Sequence, residues 1–265
     1  MWQFIRTAIN LIRMKIKDLV RKVLFFASVP KCVSCKERLE KAGMPFCDVC
    51  YEKYKNNKSR NCSVCSEKLF LCSCSNKYLK SHYIHKLIKL YRYLPDTESP
   101  ANNVIYSLKR DNRRDVVEFL ANELVVSLKN QFDSFDGVVF TNIPRRKAAI
   151  KEYGYDHAER LARSLSKKLS CEYMSVLKSK TKRAQKKLDK LRRVKNVNFD
   201  YKVKGDKIKG KTVFLVDDIV TSGASMGRAG MLIHALGAKK IIGVSVAVAY
   251  KDETTFFDIK DRFKG

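Results

Sequence analysis

Apolar residues fall along this chain in two rhythms, and the change from one to the other marks its organisation. Ile5, Ile9, Ile12, Ile16, Leu19, Val23 and Phe26 recur at spacings of four and three, with Arg6, Arg13, Lys17 and Arg21 off the stripe. That spacing predicts a basic amphipathic helix over residues 1–27, ended by Pro30. Two readings stand for it: a helix packed on the rest of the protein, or one lying on an anionic membrane surface. The run Val23–Val29 is too short to cross a bilayer, and nothing in it looks like an export signal.

Residues 78–131 also read as helical: Tyr78 to Tyr93, a break at PDTESP, then Ala101 to Lys129. Val104, Leu108, Val116, Phe119, Leu120, Leu124 and Leu128 are the core positions there. From Gly137 the rhythm changes. GVVFTNIP predicts a buried strand turning at Pro144, DHAERLARSLSKKL a helix, and CEYMSVL a short strand. TVFLV and KKIIGVSVAVAY predict further buried strands, with a helix from about Met226 to Leu236 between them and Gly237 as its cap. Strands alternating with helices predict an α/β fold with a doubly wound parallel sheet.

Composition adds a large core and a large charge. The chain has 265 residues, 45% of them hydrophobic, which excludes disorder of the whole. Lys and Arg number 55 against 27 acids, a formal net charge of +28. Such a surplus points to a polyanionic partner (nucleic acid, a phosphorylated ligand or a membrane) or to a generally basic surface. Residues 136–210 hold 22 basic and 8 acidic side chains, half of the surplus. Within them, Lys178 to Lys195 carries ten cations and one acid, Asp189. Lys182, Arg183, Lys186, Lys187, Arg192 and Arg193 are the candidate contacts to single-stranded DNA, the other reading being a solvated basic loop.

Eight of the nine cysteines form a pattern: Cys32-x2-Cys35-x11-Cys47-x2-Cys50-x11-Cys62-x2-Cys65-x6-Cys72-x-Cys74. A Cys-x2-Cys turn puts two thiolates on one side of a metal, and two such turns complete a tetrahedral site. Eight cysteines make two structural Zn²⁺ sites, and consecutive and interleaved pairings both stay open. Zinc would supply folding energy to a module too small to bury much. His82 and His85 read as surface residues, and Cys171 as a core residue.

The sharpest chemical signal is TVFLVDDIVTSGAS. Asp217 and Asp218 end an apolar strand, and Thr221, Ser222, Gly223, Ala224 and Ser225 form a small hydroxyl-rich turn before a helix. Ligands of parallel sheets bind past the carboxyl ends of strands, and free backbone amides at a helix N-terminus cradle phosphate. Acids that accept from vicinal hydroxyls beside a phosphate cradle suit a sugar phosphate.

This stretch resembles the 5-phosphoribosyl-1-pyrophosphate (PRPP) motif of type I phosphoribosyltransferases. With the zinc-ribbon cysteines, IYSLKRDNRRDVVEFLANELV, IPRR…KEYGYDHAERLA and Q…L…RRVKNVNF, residues 30–250 look like the ComF/GntX family. The resemblance implies that Asp217 and Asp218 hold the ribose hydroxyls, that residues 221–225 bind the 5′-phosphate, and that Mg²⁺ enters with the pyrophosphate. Arg145, Arg146 and Lys147 match the loop facing the pyrophosphate. Where the family reads Arg-Gly-Phe-Asn-Gln, this chain has Tyr153-Gly154-Tyr155-Asp156-His157, a departure that bears on any acceptor contact. The helix at 1–29 lies outside the resemblance; the organisation expected after it is a double zinc ribbon at 30–76 and a type I phosphoribosyltransferase-like domain at 77–265, with a helical hood at 77–135 and a core at 136–265. The implied role is in DNA uptake and natural transformation; a cytoplasmic location is expected with it, and the basic helix over residues 1–27 offers a separate reading of contact to the inner membrane or the uptake machinery. Phosphoribosyl transfer is one expectation. The other is a zinc-ribbon nucleic-acid binder that uses PRPP as a regulatory or structural ligand.

Overall fold

A computed structural model describes residues 30–40, 43–93, 99–180, 198–203 and 205–249. The helix expected over 1–29 and the cations Lys182, Arg183, Lys186, Lys187, Arg192 and Arg193 lie outside the described residues. In chain order the elements are α1 (Asp48–Lys58), α2 (Lys77–Lys80), β1 (Ile84–Arg92), α3 (Pro100–Arg110) and α4 (Arg114–Lys129). Then come β2 (Val138–Asn142), α5 (Lys147–Tyr153), α6 (His157–Lys168), β3 (Glu172–Tyr173), β4 (Leu177–Ser179) and β5 (Phe199–Tyr201). The last are β6 (Thr212–Val220), α7 (Ala224–Ala235) and β7 (Lys240–Val248).

Five of the strands form a parallel sheet in the order β1-β7-β6-β2-β3. Its central strands read as continuous apolar runs because both faces are covered. All five residues of β2 are buried. Along β6, Phe214 and Val216 pack with Phe140, Leu124 and Leu161 on one face, while Val213 and Leu215 pack with Met226, Ala229 and Ile233 on the other. β4 and β5 form a separate antiparallel pair beside this second face. Among the described residues no helix is long and apolar enough to cross a membrane.

One expectation is corrected here. Residues 84–92 are not helical; they form an edge strand paired with β7 from Ile84↔Ile241 to Arg92↔Val248. Ile84, Leu87, Ile88 and Tyr91 fall at helical spacing, which is why the pattern misleads. The strand is covered on both sides, so Leu90 and even Lys89 are buried and no two-residue alternation survives. The long helix expected from Ala101 is also broken, at residues 111–113, into α3 and α4. Ser99 caps α3, its hydroxyl accepting from Asn102 N at 3.2 Å, and Pro100 occupies the first turn.

The strand order places a switch point between β2 and β6, since the chain leaves β2 towards β3 and β6 towards β7. β6 also outruns its neighbour. Pairing with β2 stops at Asn142↔Val216, while pairing with β7 continues to Val220↔Val248. Asp217 and Asp218 thus stand on a strand that is open on the β2 side.

The cysteine-rich segment repeats itself at an offset of thirty residues. Cys32 N donates to Glu37 O and Leu39 N to Pro30 O; Cys62 N donates to Glu67 O and Leu69 N to Arg60 O. The same bridge closes each turn, Lys31↔Arg38 and Asn61↔Lys68. The first copy is sewn into the α/β core. Val33, Phe46 and Tyr54 are buried with Tyr91 and Phe119, and the rings of Phe46 and Phe119 meet edge-on at 5.5 Å.

Candidate functional site

A cavity of about 450 Å³ opens at the switch point. The structure brings to it Arg145, Arg146, Asp217, Asp218 and residues 221–225, all expected from sequence. It also brings Phe199 and, from the segment that departs from the resembled family, Tyr153, Asp156 and His157, and it adds Lys109 and Arg110, which sequence reasoning did not assign to this site.

The two acids are neighbours in very different surroundings. Asp218 is buried; its Oδ2 lies 2.9 Å from Lys109 Nζ and 3.0 Å from His157 Nε2, and its Oδ1 accepts from Ile219 N at 2.6 Å. Burial alone would push its carboxyl up, but the Lys109 ammonium and then His157 hold it well below the usual range. Asp217 Oδ1 accepts from Asp218 N at 2.9 Å. Burial, and then the adjoining Asp218 charge, push the Asp217 carboxyl well above the usual range. One acid is therefore a fixed anion and the other is reluctant to ionise.

The segment Tyr153–His157, where this chain departs from the resembled family, is what fixes that arrangement. Gly154 ends α5 in the left-handed conformation (φ 79°), its N–H donating to Ile150 O at 2.7 Å. Tyr155 is buried, and its hydroxyl donates to Leu108 O at 2.7 Å and accepts from Asn112 N at 2.9 Å. It thereby ties down the end of α3, one residue from Lys109. Asp156 caps α6 through Ala158 N and Glu159 N, while its other oxygen accepts from Arg145 N at 2.8 Å. His157 then reaches Asp218. The guanidinium of Arg145 lies 4.6 Å from the centre of the Tyr153 ring.

The residues expected to bind phosphate form the β6–α7 turn. Gly223 adopts φ +80°, and a Cβ there would stand 3.2 Å from Leu79 Cδ2. Ser222 Oγ accepts from Ala224 N at 3.3 Å. Ser225 and Met226, in the first turn of α7, line the cavity and bring the positive end of the helix to it.

Part of the basic segment is already paired. Lys178 and Lys180 flank Asp200 at 3.2 and 3.0 Å, and they hold its carboxyl down at about 2. Ser179 and Phe199, on the facing strands β4 and β5, line the cavity, so the segment between Lys180 and Asn198 starts and ends at its rim.

The eight clustered cysteines gather as consecutive groups, Cys32, Cys35, Cys47, Cys50 and Cys62, Cys65, Cys72, Cys74, which decides between the two pairings. In each group the sulfurs lie within 4.8 Å of one another, and Cys35 Sγ and Cys47 Sγ are 3.6 Å apart. A tetrahedral site with Zn–S bonds of about 2.3 Å needs sulfurs about 3.8 Å apart, so the donor sets fit zinc. Backbone N–H groups draw the Cys32 and Cys62 thiols down to about 7 against the effect of burial, while burial and neighbouring thiols push Cys74 up to about 12. His82 stacks on Tyr78 and joins neither group. Cys171 is half-buried against the core, its thiol 3.3 Å from Leu169 O.

Part of this fold, including the β6–α7 turn, is similar to a known domain. The family model of the phosphoribosyl transferase domain matches residues 149–265, less than half of the chain. Lys109 and Arg110 lie ahead of that segment. The chain is also similar to two crystal forms of a hypoxanthine phosphoribosyltransferase from Staphylococcus aureus, at 12% and 13% identity with TM-scores of 0.34 and 0.35. In each case 50% of this chain is covered, and the chain spans 62% of that enzyme's length. A purine phosphoribosyltransferase from Pyrococcus horikoshii matches at 16% identity and a TM-score of 0.33, over 51% of this chain and 83% of the other. Among curated proteins none matches.

Proposed function

We propose that the protein binds PRPP as its magnesium complex and transfers or senses the phosphoribosyl group in the service of DNA uptake. The observation that carries this reading is the convergence, around one cavity at the switch point, of an acid pair, a hydroxyl-rich helix N-terminus and the cations Lys109, Arg110, Arg145 and Arg146. Residues 221–225 suit the 5′-phosphate and the Asp217 side the ribose diol. The arginines suit the pyrophosphate. The clustered oxygens of Asp217 and Asp218 fit a divalent ion at this edge. Magnesium, when bound with PRPP, would withdraw charge from departing pyrophosphate; the residues themselves orient the sugar and exclude water.

A regulatory ligand is the second reading. The Lys109 and His157 contacts already satisfy one oxygen of Asp218, and Tyr155 is committed to α3, so neither is free to greet an acceptor. Single-stranded DNA would bind the segment holding Lys182, Arg183, Lys186, Lys187, Arg192 and Arg193, supported by the net charge of +28. The ComF/GntX resemblance supports a place in natural transformation. A cytoplasmic location, with residues 1–29 touching the inner membrane or the uptake machinery, belongs to the same proposal.

Calorimetry with Mg-PRPP and a pyrophosphate assay with nucleobases and nucleic acids test it. Binding with pyrophosphate release supports an enzyme, and binding without release supports the sensor. Silence in calorimetry removes the reading. Asp217→Ala with Asp218→Ala is expected to abolish PRPP binding and to leave salt-dependent DNA binding in place.

A further inference from the structure

Among the described residues Lys89 is the one buried lysine or arginine, at 2% exposure. It projects from β1, and its ammonium donates to Cys72 Sγ at 3.2 Å, Cys74 O at 2.8 Å and Leu87 O at 3.2 Å. An ammonium has three protons, and all three are used. One of them points at a sulfur of the second tetracysteine group.

Four thiolates around a divalent ion leave a net charge of about −2, which is costly away from water unless a counter-charge lies close. We propose that Lys89 is the built-in counter-cation of the Cys62–Cys65–Cys72–Cys74 site, and that this site holds its metal longer than the Cys32–Cys35–Cys47–Cys50 site. The proposal rests on reading both groups as metal centres. It adds that they are unequal.

The first group has the opposite electrostatics. The carboxylate of Glu37, exposed, lies 3.5 Å from Cys35 Sγ and adds negative charge to a loaded site. Lys36 in the same turn donates to Val33 O at 3.0 Å from an exposed position, where water and salt screen it. Lys89 works behind the sheet edge, where screening is weakest. Loss of the second metal would leave its ammonium buried beside two carbonyls and a sulfur, without the full counter-charge of the loaded site. The second site is also stitched to the edge strand: Leu87 N donates to Ser73 O at 3.0 Å and Ser75 Oγ to Ile84 O at 2.8 Å. To open it, the ligand loop must leave β1.

The experiment uses the full chain loaded with zinc. Native mass spectrometry first counts the metal. The protein is then challenged with a chelator, release is followed with a chromogenic zinc indicator, and freed thiols are pulse-labelled with N-ethylmaleimide and mapped by peptide mass spectrometry. Two zinc ions per chain, released in two phases with Cys32, Cys35, Cys47 and Cys50 labelled first, is the expected result. Lys89→Met should speed the second phase about ten- to a hundredfold, matching the loss of metal affinity when partners of metal ligands are removed. Lys89→Arg should keep the wild-type order. Simultaneous release, or earlier labelling of Cys62, Cys65, Cys72 and Cys74 in the wild type, overturns the proposal whether or not the variants fold. A chain that takes up no zinc overturns the metal reading beneath it, and the two failures are told apart by the initial count.

Discussion

Lys109 Nζ stands 2.9 Å from Asp218 Oδ2, joining a helix outside the matched phosphoribosyltransferase segment to the acid pair at its centre. His157 Nε2 meets the same oxygen from the other side. Removing one partner from a buried pair leaves a charge without compensation, which typically costs about 3–5 kcal/mol. Lys109 is partly exposed, so we expect Lys109→Met to destabilise the fold by about 2 kcal/mol and to weaken Mg-PRPP binding in parallel. Urea denaturation and calorimetry measure the two effects. Unchanged stability would mean that water replaces the ammonium without loss.

The acids should respond to pH in opposite senses. The Asp218 carboxyl is held below its ordinary value, so its contribution is present above about pH 4 and is lost as pH falls through the folded value. The Asp217 carboxyl is pushed up, so its penalty appears as pH rises through about 4, where the unfolded chain ionises. Asp217→Asn is therefore expected to stabilise at pH 7, on the order of 1 kcal/mol, and to match the wild type near pH 3. Asp218→Asn should destabilise at pH 7 and approach the wild type in acid. Melting curves of both variants across that window check the signs.

Tyr155→Phe keeps the ring and removes only the hydroxyl that joins Leu108 O to Asn112 N. Leaving a buried carbonyl without its donor costs about 1–3 kcal/mol. Because the hydroxyl fixes the end of α3, PRPP affinity should fall although the hydroxyl touches no ligand. Equal affinity in calorimetry would show that Lys109 is held by its ion pair alone.

Gly223→Ala places a Cβ 3.2 Å from Leu79 Cδ2 on a backbone at φ +80°. Strain of about 1–3 kcal/mol is expected, with loss of phosphate binding as the turn shifts. A variant that melts and binds like the wild type would mean that the turn adapts.

The grouping around Asp217 was legible in the sequence because it is local: strand end, acids and hydroxyl-rich turn lie within fourteen residues. The cysteine groups were legible for the same reason, although their pairing needed three dimensions. The contributions of Lys109 and His157 were not legible. They come from separate helices and meet only where β6 outruns β2, and nothing in Leu108-Lys109-Arg110 distinguishes a site lysine from a solvated one. β1 was misread because a strand covered on both faces loses its alternation.

The ring cluster of Phe46, Tyr51, Tyr54, Tyr91 and Phe119 joins the first cysteine turn to the sheet. A fragment begun at β1 would expose Tyr91 and Phe119 to solvent and would be expected to aggregate. During synthesis the amino-terminal ribbon emerges first, so it must wait for its hydrophobic seat. If the ribbon folds only around zinc, cellular zinc supply would limit the yield of the whole α/β body, not merely of its small appendage.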